Sequence, residues 1–170
     1  MKKILASGKF IRLVIEDGWE YAERVNCSKV VFILAVTGEK KIILVKQFRI
    51  PVSNFVIELP AGLVGDDFED ESAEKAAIRE LEEETGWRAN EMKKITFGPL
   101  SAGLSSEIGI LMLAKDMKKV SKGGGVENEN IQVIEVELNS AEDFLKSEEK
   151  KGVLIDPKVY TGLYFAKKYC

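Results

Sequence analysis

The run Arg79-Glu80-Leu81-Glu82-Glu83-Glu84-Thr85-Gly86 concentrates carboxylates on one short stretch, in a pattern a hard divalent cation could use. The stretch predicts a helix. Ser72 suits its N-cap, Glu74 falls in the first turn where the helix dipole favours an anion, and Gly86 suits the left-handed stop. At about 100° per residue, Ala77, Ile78 and Leu81 form an apolar stripe, and Ala73, Ala76 and Ala77 leave a small-residue surface beside it. Glu80, Glu83 and Glu84 fall on an arc of about 100° that continues the small-residue side, so they are expected to point towards the body of the protein, or a cleft in it, and not only into water. Glu80 and Glu84 stand one turn apart, where like charges destabilise an isolated helix by a few tenths of a kcal/mol. A cation such as Mg²⁺, which takes carboxylate oxygens and shares its shell with water and substrate phosphates, reverses that sign. Arg79 can orient a carboxylate through its two-pronged fork.

The elements that must position this helix read as a mixed sheet. Residues 2–25 predict strands, with Phe10–Ile15 and Trp19–Val25 joined as an N-terminal hairpin by Asp17-Gly18. Val30–Val36 is a continuous apolar run and Lys41–Gln47 alternates, which predicts a second hairpin. Phe55–Leu59 re-enters the sheet, Pro60-Ala61-Gly62 reads as a tight turn, and the acidic loop Asp66–Glu71 leads into the helix. Further strands are expected at Lys93–Phe97, Ile108–Ala114 and Ile131–Leu138. A helix is expected over Ala141–Glu148 with Ser140 as its cap, and another after Asp156-Pro157. The glycine triplet Gly123-Gly124-Gly125 reads as a mobile segment. The class is α/β or α+β, a mixed sheet flanked by helices in one domain over residues 1–170.

Composition narrows the chemistry. The 170 residues suit one domain with a sizeable core, and 45% hydrophobic with 31% charged residues are globular values. A net charge of −3 carries no basic footprint, so neither nucleic acid nor membrane is an expected partner. There is no histidine, which removes histidine bases, histidine metal ligands and serine–histidine or cysteine–histidine nucleophile pairs. Cys27 and Cys170 are too few for a disulfide framework or zinc site. No run approaches a membrane span, the N-terminus is too short for a signal core, and a cytoplasmic location is expected.

Gly65, five residues, Glu71, seven residues, then Arg79-Glu80-Leu81-x-Glu83-Glu84-x-Gly86-Trp87 matches the box of the Nudix hydrolases at nine positions over 23 residues. The chain resembles that family, which cleaves nucleoside diphosphates linked to another moiety. The resemblance implies a Nudix-like α/β/α sandwich. It makes Glu80, Glu83 and Glu84 metal ligands, with Glu83 also in the catalytic set, and gives Arg79 and Glu71 supporting roles.

Trp19-Glu20 with Arg24, Val45-Lys46-Gln47-Phe48-Arg49, Glu58-Leu59-Pro60-Ala61-Gly62-Leu63 and the glycine loop before Glu127-Asn128-Glu129 resemble the ADP-ribose and ADP-sugar pyrophosphatase branch. That resemblance implies that Trp19 stacks on adenine, Arg24 and Arg49 hold the diphosphate, and the Ala61 carbonyl binds metal. Glu20, Leu63 and Ser101 complete the substrate-binding set. The branch forms dimers in which the N-terminal hairpin, residues 1–26, reaches the partner's site beside the catalytic core of residues 27–170. Mg²⁺, with Mn²⁺ as an alternative, is the implied cofactor. Glu129, or alternatively Glu127, is the implied base. Two departures stand out. Ser101-Ala102-Gly103 lacks the branch's proline before glycine. The loop to Glu71 is three residues longer than usual if Gly62, favoured for its turn, is the first glycine of the box and Gly65 coincidental. The implied substrate is ADP-ribose or a related nucleoside diphosphate sugar; the alternatives are GDP- or ADP-hexoses, or ADP-ribose binding without cleavage.

Overall fold

The computed structural model describes residues 1–27, 29–65, 71–125 and 130–170. Its element order is β1 (Lys3–Ser7), β2 (Ile11–Glu16), β3 (Trp19–Arg24), β4 (Lys29–Leu34), β5 (Lys41–Arg49), β6 (Asn54–Glu58), β7 (Ala61–Leu63), α1 (Ala73–Thr85), β8 (Trp87–Pro99), β9 (Ile108–Lys119), β10 (Gln132–Glu137), α2 (Ala141–Lys150), β11 (Leu154–Ile155) and α3 (Pro157–Tyr169). Three sheets result, ordered β1-β2-β3, β7-β4-β9-β8 and β10-β5-β6-β11. The pairs β4/β9 and β11/β6 are parallel and the others antiparallel, so the sheets of the core are mixed.

β4 is a continuous apolar run because both of its faces are buried. Val31, Ile33 and Ala35 pack with Ile43, Met112 and the α1 residues Ala76, Ala77 and Leu81. Phe32 and Leu34, pointing the other way, pack with Leu44, Leu59, Leu111 and the residues Leu145, Val159 and Leu163 of α2 and α3. One helix therefore covers one face and two cover the other, the α/β/α sandwich. Ala76 and Ala77 are fully buried, so the small-residue side of α1 lets the helix sit close to the strands.

Several local expectations change. The N-terminal part is a three-stranded antiparallel sheet, not a hairpin, because β1 adds to β2 beyond the Asp17-Gly18 turn. Asp17 and Gly18 both have positive φ, 49° and 85°, as a tight hairpin turn requires. Pro60-Ala61-Gly62 is no tight turn. The Pro60 carbonyl accepts from the Ile33 amide at 2.8 Å, and Ala61–Leu63 pair with Phe32, Val31 and Val30 as strand β7. β8 and β9 run well past their predicted ends as one long antiparallel ladder, with a register shift between Lys94 and Thr96. Ser140 closes a 3₁₀ turn before α2 and makes no side-chain cap.

α2 is tied to the sheet by Glu148, which is buried and accepts from Lys46 at 2.9 Å and Lys151 at 2.5 Å. The hydrogen bond from Lys151 and then that from Lys46 hold its carboxyl below the ordinary glutamate range. A depressed folded-state pKa gives stability that is present above the unfolded value, about 4.3, and lost as pH falls through the folded value. Urea unfolding between about pH 6 and pH 3 should therefore lose stability more steeply in the wild type than in Glu148→Gln, with the two curves converging at the acid end.

Candidate active site

α1 begins as its sequence predicts. Ser72 accepts from the Lys75 amide at 3.3 Å, and Gly86 closes the helix at φ 73° with its amide on the Glu82 carbonyl. On the acidic side, Arg79 donates to Glu71 from both Nε and Nη2 at 3.2 Å, from Nη1 to Glu80 at 2.9 Å and to Glu83 at 3.1 Å, and from Nη2 to the Leu63 carbonyl at 3.4 Å. Burial pulls the guanidinium pKa down, but the hydrogen bond to Glu71 and the charges of Glu80 and Glu71 outweigh it, so the net shift is upward. Arg79 is thus a fixed cation around which the carboxylates gather.

Glu80 and Glu84 face a cleft of about 460 Å³ that is also lined by Arg24, Gln47, Arg49, Glu58, Ala61, Gly62, Leu63, Leu100, Glu107 and Lys158. Glu84 is buried, and its Oε2 accepts from the Ala61 amide at 3.0 Å. Glu83 sits at the Arg79 end of the acidic arc and lines a groove on the other side, with Lys75, Ile78, Glu82 and Arg88. The structure therefore splits the three predicted carboxylates, two into the cleft and one beside it.

Among the described residues, no group of three acids is drawn together as a closed metal cage. Two carboxylates one turn apart, lining a polar cleft, are nonetheless suitable hard oxygen donors. That set fits Mg²⁺, which keeps several waters and completes its shell with substrate phosphate more often than with protein.

Both glycines at the head of the box have a reason to be glycine. A Cβ on Gly62 would lie 1.9 Å from the Glu80 Cδ, so the bare backbone there makes room for that carboxylate. Gly65 has φ 82°, which disfavours any side chain. Glycine therefore suits position 65 locally, whichever of the two heads the box. The glycine triplet is not a loose segment either. The Gly124 amide donates to the Glu84 carbonyl at 2.8 Å and the Gly125 amide to the Glu83 carbonyl at 3.1 Å. Gly86 and Gly123 pack backbone to backbone, since a Cβ on Gly123 would lie 2.5 Å from the Gly86 nitrogen. The chain that leads to Glu127 and Glu129 is thereby docked on the C-terminus of α1. Glu127 and Glu129 themselves lie outside the described residues.

Arg24 pairs with Glu107, and Arg49 donates to Glu58 at 2.7 Å, which places both arginines on the cleft wall. Glu107 and Lys158 were not singled out by the sequence. Glu107 ends an otherwise ordinary loop, and Lys158 follows a helix cap, so neither carries a local signal. Trp19 is 66% exposed and does not line this cleft. With Tyr21 it faces a separate groove against Ala102, Gly103, Ser105 and Ser106. Odd and even residues of β3 point to opposite faces, and five residues span about 16 Å. Ala22 is hydrogen-bonded to Leu104 and Ser106 between the two cavities. Glu20 and Ser101 line neither cavity; the Ser101 carbonyl instead accepts from the Leu104 and Ser105 amides at 2.9 Å.

A family model described as the NUDIX domain matches residues 28–156. The chain belongs to the Nudix family. Among its relatives, an ADP-ribose pyrophosphatase of Bacillus subtilis (strain 168) is 38% identical over 174 residues, covering 98% of this chain and 91% of that protein. A GDP-mannose pyrophosphatase of Escherichia coli (strain K12) is 31% identical over 144 residues, covering 80% and 72%. A crystal structure of an ADP compounds hydrolase superposes with a TM-score of 0.73 over 99% of this chain and 91% of that one, at 20% identity, so it attests the fold. This Nudix chain carries the box on α1, with the cleft formed where α1 meets β4, β5 and β7.

Gly62→Ala isolates one of these contacts, because the clash is with the flexible end of Glu80. Circular dichroism and melting temperature should stay close to wild type while hydrolytic activity falls about tenfold or more. Full activity in a folded Gly62→Ala protein would mean that the position of Glu80 does not matter.

Proposed function

We propose that the chain is a Nudix pyrophosphatase that hydrolyses the diphosphate bond of ADP-ribose or a closely related nucleoside diphosphate sugar, giving a nucleoside monophosphate and a sugar phosphate. The observation that carries the reading is the single cleft in which Glu80 and Glu84 stand opposite Arg24 and Arg49. Cation-binding acids and phosphate-binding forks are both needed for a dianionic diphosphate. The 38% identical ADP-ribose pyrophosphatase supports the choice of substrate, and the GDP-mannose pyrophosphatases keep nucleoside diphosphate hexoses as a second substrate class.

Glu80 and Glu84, with the Ala61 carbonyl and Glu83, would hold Mg²⁺ or Mn²⁺. When bound, the cation supplies charge neutralisation and Lewis-acid polarisation of the diphosphate. The protein's own groups do the remainder. Arg24 and Arg49 exchange Glu107 and Glu58 for phosphate oxygens and align the anhydride. Leu63 borders the same cleft. Water gives its oxygen to one phosphorus, the bridging oxygen leaves on the other phosphate, and the water's proton passes to a base. Glu129 is the proposed base and Glu127 the alternative, supported by the docking of Gly124 and Gly125 on α1 just ahead of them.

Trp19 enters this scheme as an adenine-stacking residue delivered to the cleft of a second copy, with Glu20 and the Ser101 loop beside it. Its exposure and its separation from Arg24 within one chain favour that arrangement over a site completed by one protomer. A homodimer built through the sheet of residues 1–26 follows from this reading. Ile4, Leu5, Phe10 and Ile11, all exposed there, supply the apolar surface such an interface needs. The charge balance and the absence of a long apolar helix among the described residues accord with a small-molecule substrate and a proposed cytoplasmic location.

Glu84→Gln should retain the fold and lose on the order of 100-fold or more in ADP-ribose turnover at saturating Mg²⁺. Arg49→Ala should act mainly on KM. A panel of nucleoside diphosphate sugars with product phosphate detection measures both. Wild-type turnover by Glu84→Gln would exclude this site.

A further inference from the structure

The last turn of α1 carries Glu82, Glu83 and Glu84 and no basic residue, at the end where the helix dipole favours a cation. Its final carbonyls also have no partners inside the helix. The Gly86 amide takes the Glu82 carbonyl, and the connection from β9 to β10 takes the next three. Gly125 donates to Glu83 at 3.1 Å, Gly124 to Glu84 at 2.8 Å, and the Lys119 ammonium to Thr85 at 2.9 Å. Lys119 is thus the cation that the helix does not supply itself. As the last residue of β9 it stands opposite Trp87, the first of β8, with its ammonium 5.4 Å from the Trp87 ring centroid. The Trp87 Nε1 donates to Glu135 of β10 at 2.9 Å, and Lys119 lies 3.5 Å from the same carboxylate oxygen. β10 belongs to the other sheet, so these three side chains join the two sheets across the end of α1. Just ahead of β10, the Ile131 amide donates to the Gly124 carbonyl at 3.3 Å and closes a neck between the glycine segment and that strand.

We propose that Lys119 is a positioning residue for hydrolysis. It acts through the Thr85 carbonyl and Glu135, and fixes the Gly124–Ile131 neck against the turn of α1 that carries Glu83 and Glu84. The inference rests on the hydrolase reading, in which the base, Glu129 or Glu127, stands in the sequence between the two ends of that neck. An ammonium suits the task, because it can donate to a carbonyl and a carboxylate at once, and the indole face beside it favours its charge. A neck displaced by about an ångström would cost the base its alignment and leave Arg24, Arg49, Glu80 and Glu84 where they are. The defect then belongs to kcat and not to KM.

Lys119 is partly exposed, so Lys119→Met removes the charge without opening the core. At saturating Mg²⁺ and ADP-ribose, kcat should fall at least about tenfold in Lys119→Met, with KM within about twofold of wild type. Lys119→Arg, which keeps a cation and its donors, should recover most of that loss. Mn²⁺ affinity should be the same in all three proteins, because Arg79 and the Ala61 amide hold the carboxylates of Glu80 and Glu84. Hydrogen exchange of the Gly124 and Gly125 amides, read by nuclear magnetic resonance, should be at least about tenfold faster in Lys119→Met than in wild type. Glu135→Gln leaves the indole an acceptor and removes the charge, so it should shift kcat and exchange in the same direction, and it carries the test if Lys119→Met does not fold. Unchanged kcat, a loss carried by KM or by Mn²⁺ affinity, or unchanged exchange overturns the assignment. If the wild type cleaves no nucleoside diphosphate sugar, the hydrolase reading fails instead, and the exchange comparison alone decides whether Lys119 fixes the neck.

Discussion

Carboxylates crowded along one helix repel, and the Arg79 guanidinium is what allows Glu71, Glu80 and Glu83 to share the start and side of α1. It is largely buried, with 18% of its side chain exposed, and reaches all three acids and the Leu63 carbonyl. Planar, forked and permanently charged, arginine can meet several oxygens in fixed directions, which lysine's point charge cannot. The same contacts link the helix to β7 and so set the distance between the acids and the Ala61–Leu63 backbone. Gly62 completes that fit by leaving Glu80 room, and Glu84 is fixed independently by the Ala61 amide.

The rest of the fold brings the arginines proposed to bind phosphate to this edge. Val31, Ile33 and Ala35 seat α1 on the sheet, while Phe32 and Leu34 seat α2 and α3 on the other face. Arg49 at the end of β5 and Arg24 at the end of β3 then project over the same opening, each held by a carboxylate that a diphosphate can replace. The docked glycines connect the far end of α1 to the chain leading to the proposed base. The proposed carboxylate ligands and the chain leading to the proposed base are thereby carried by, or docked on, one helix.

Helix α1 was readable from sequence because its determinants are local: a serine cap, a terminal glycine, and acids at helical spacing. The mixed sheet flanked by helices followed from the order of apolar runs and helix signals, and the α/β/α sandwich from the resemblance to the Nudix hydrolases. What could not be read depends on contacts between residues far apart in the chain. Arg24 meets Glu107 across 83 residues, and Lys46 meets Glu148 across 102. The placement of Ala61–Leu63 as a strand depends on the β4 backbone, and its Pro-Ala-Gly sequence alone resembles a turn. Of the glycines read as a flexible triplet, Gly123 lies in close backbone approach to Gly86, and all three hold positive φ, a distinction visible only once that contact is formed. Glu83 lines the groove with Lys75, Ile78, Glu82 and Arg88 while Glu80 and Glu84 line the cleft, although Arg79 Nη1 reaches both Glu80 and Glu83, and spacing along the helix does not show that division.

Cation binding by wild type and Arg79→Lys tests this dependence most directly, with Mn²⁺ titrated and free ion followed by electron paramagnetic resonance. Lysine keeps the charge and removes the fork, so charge balance is held constant. If Arg79 organises the acids, Mn²⁺ affinity should weaken about 10- to 100-fold in a folded Arg79→Lys protein, with hydrolytic turnover falling alongside it. Equal Mn²⁺ affinity and equal turnover in the two proteins would contradict the account, because the carboxylates would then hold their positions without it.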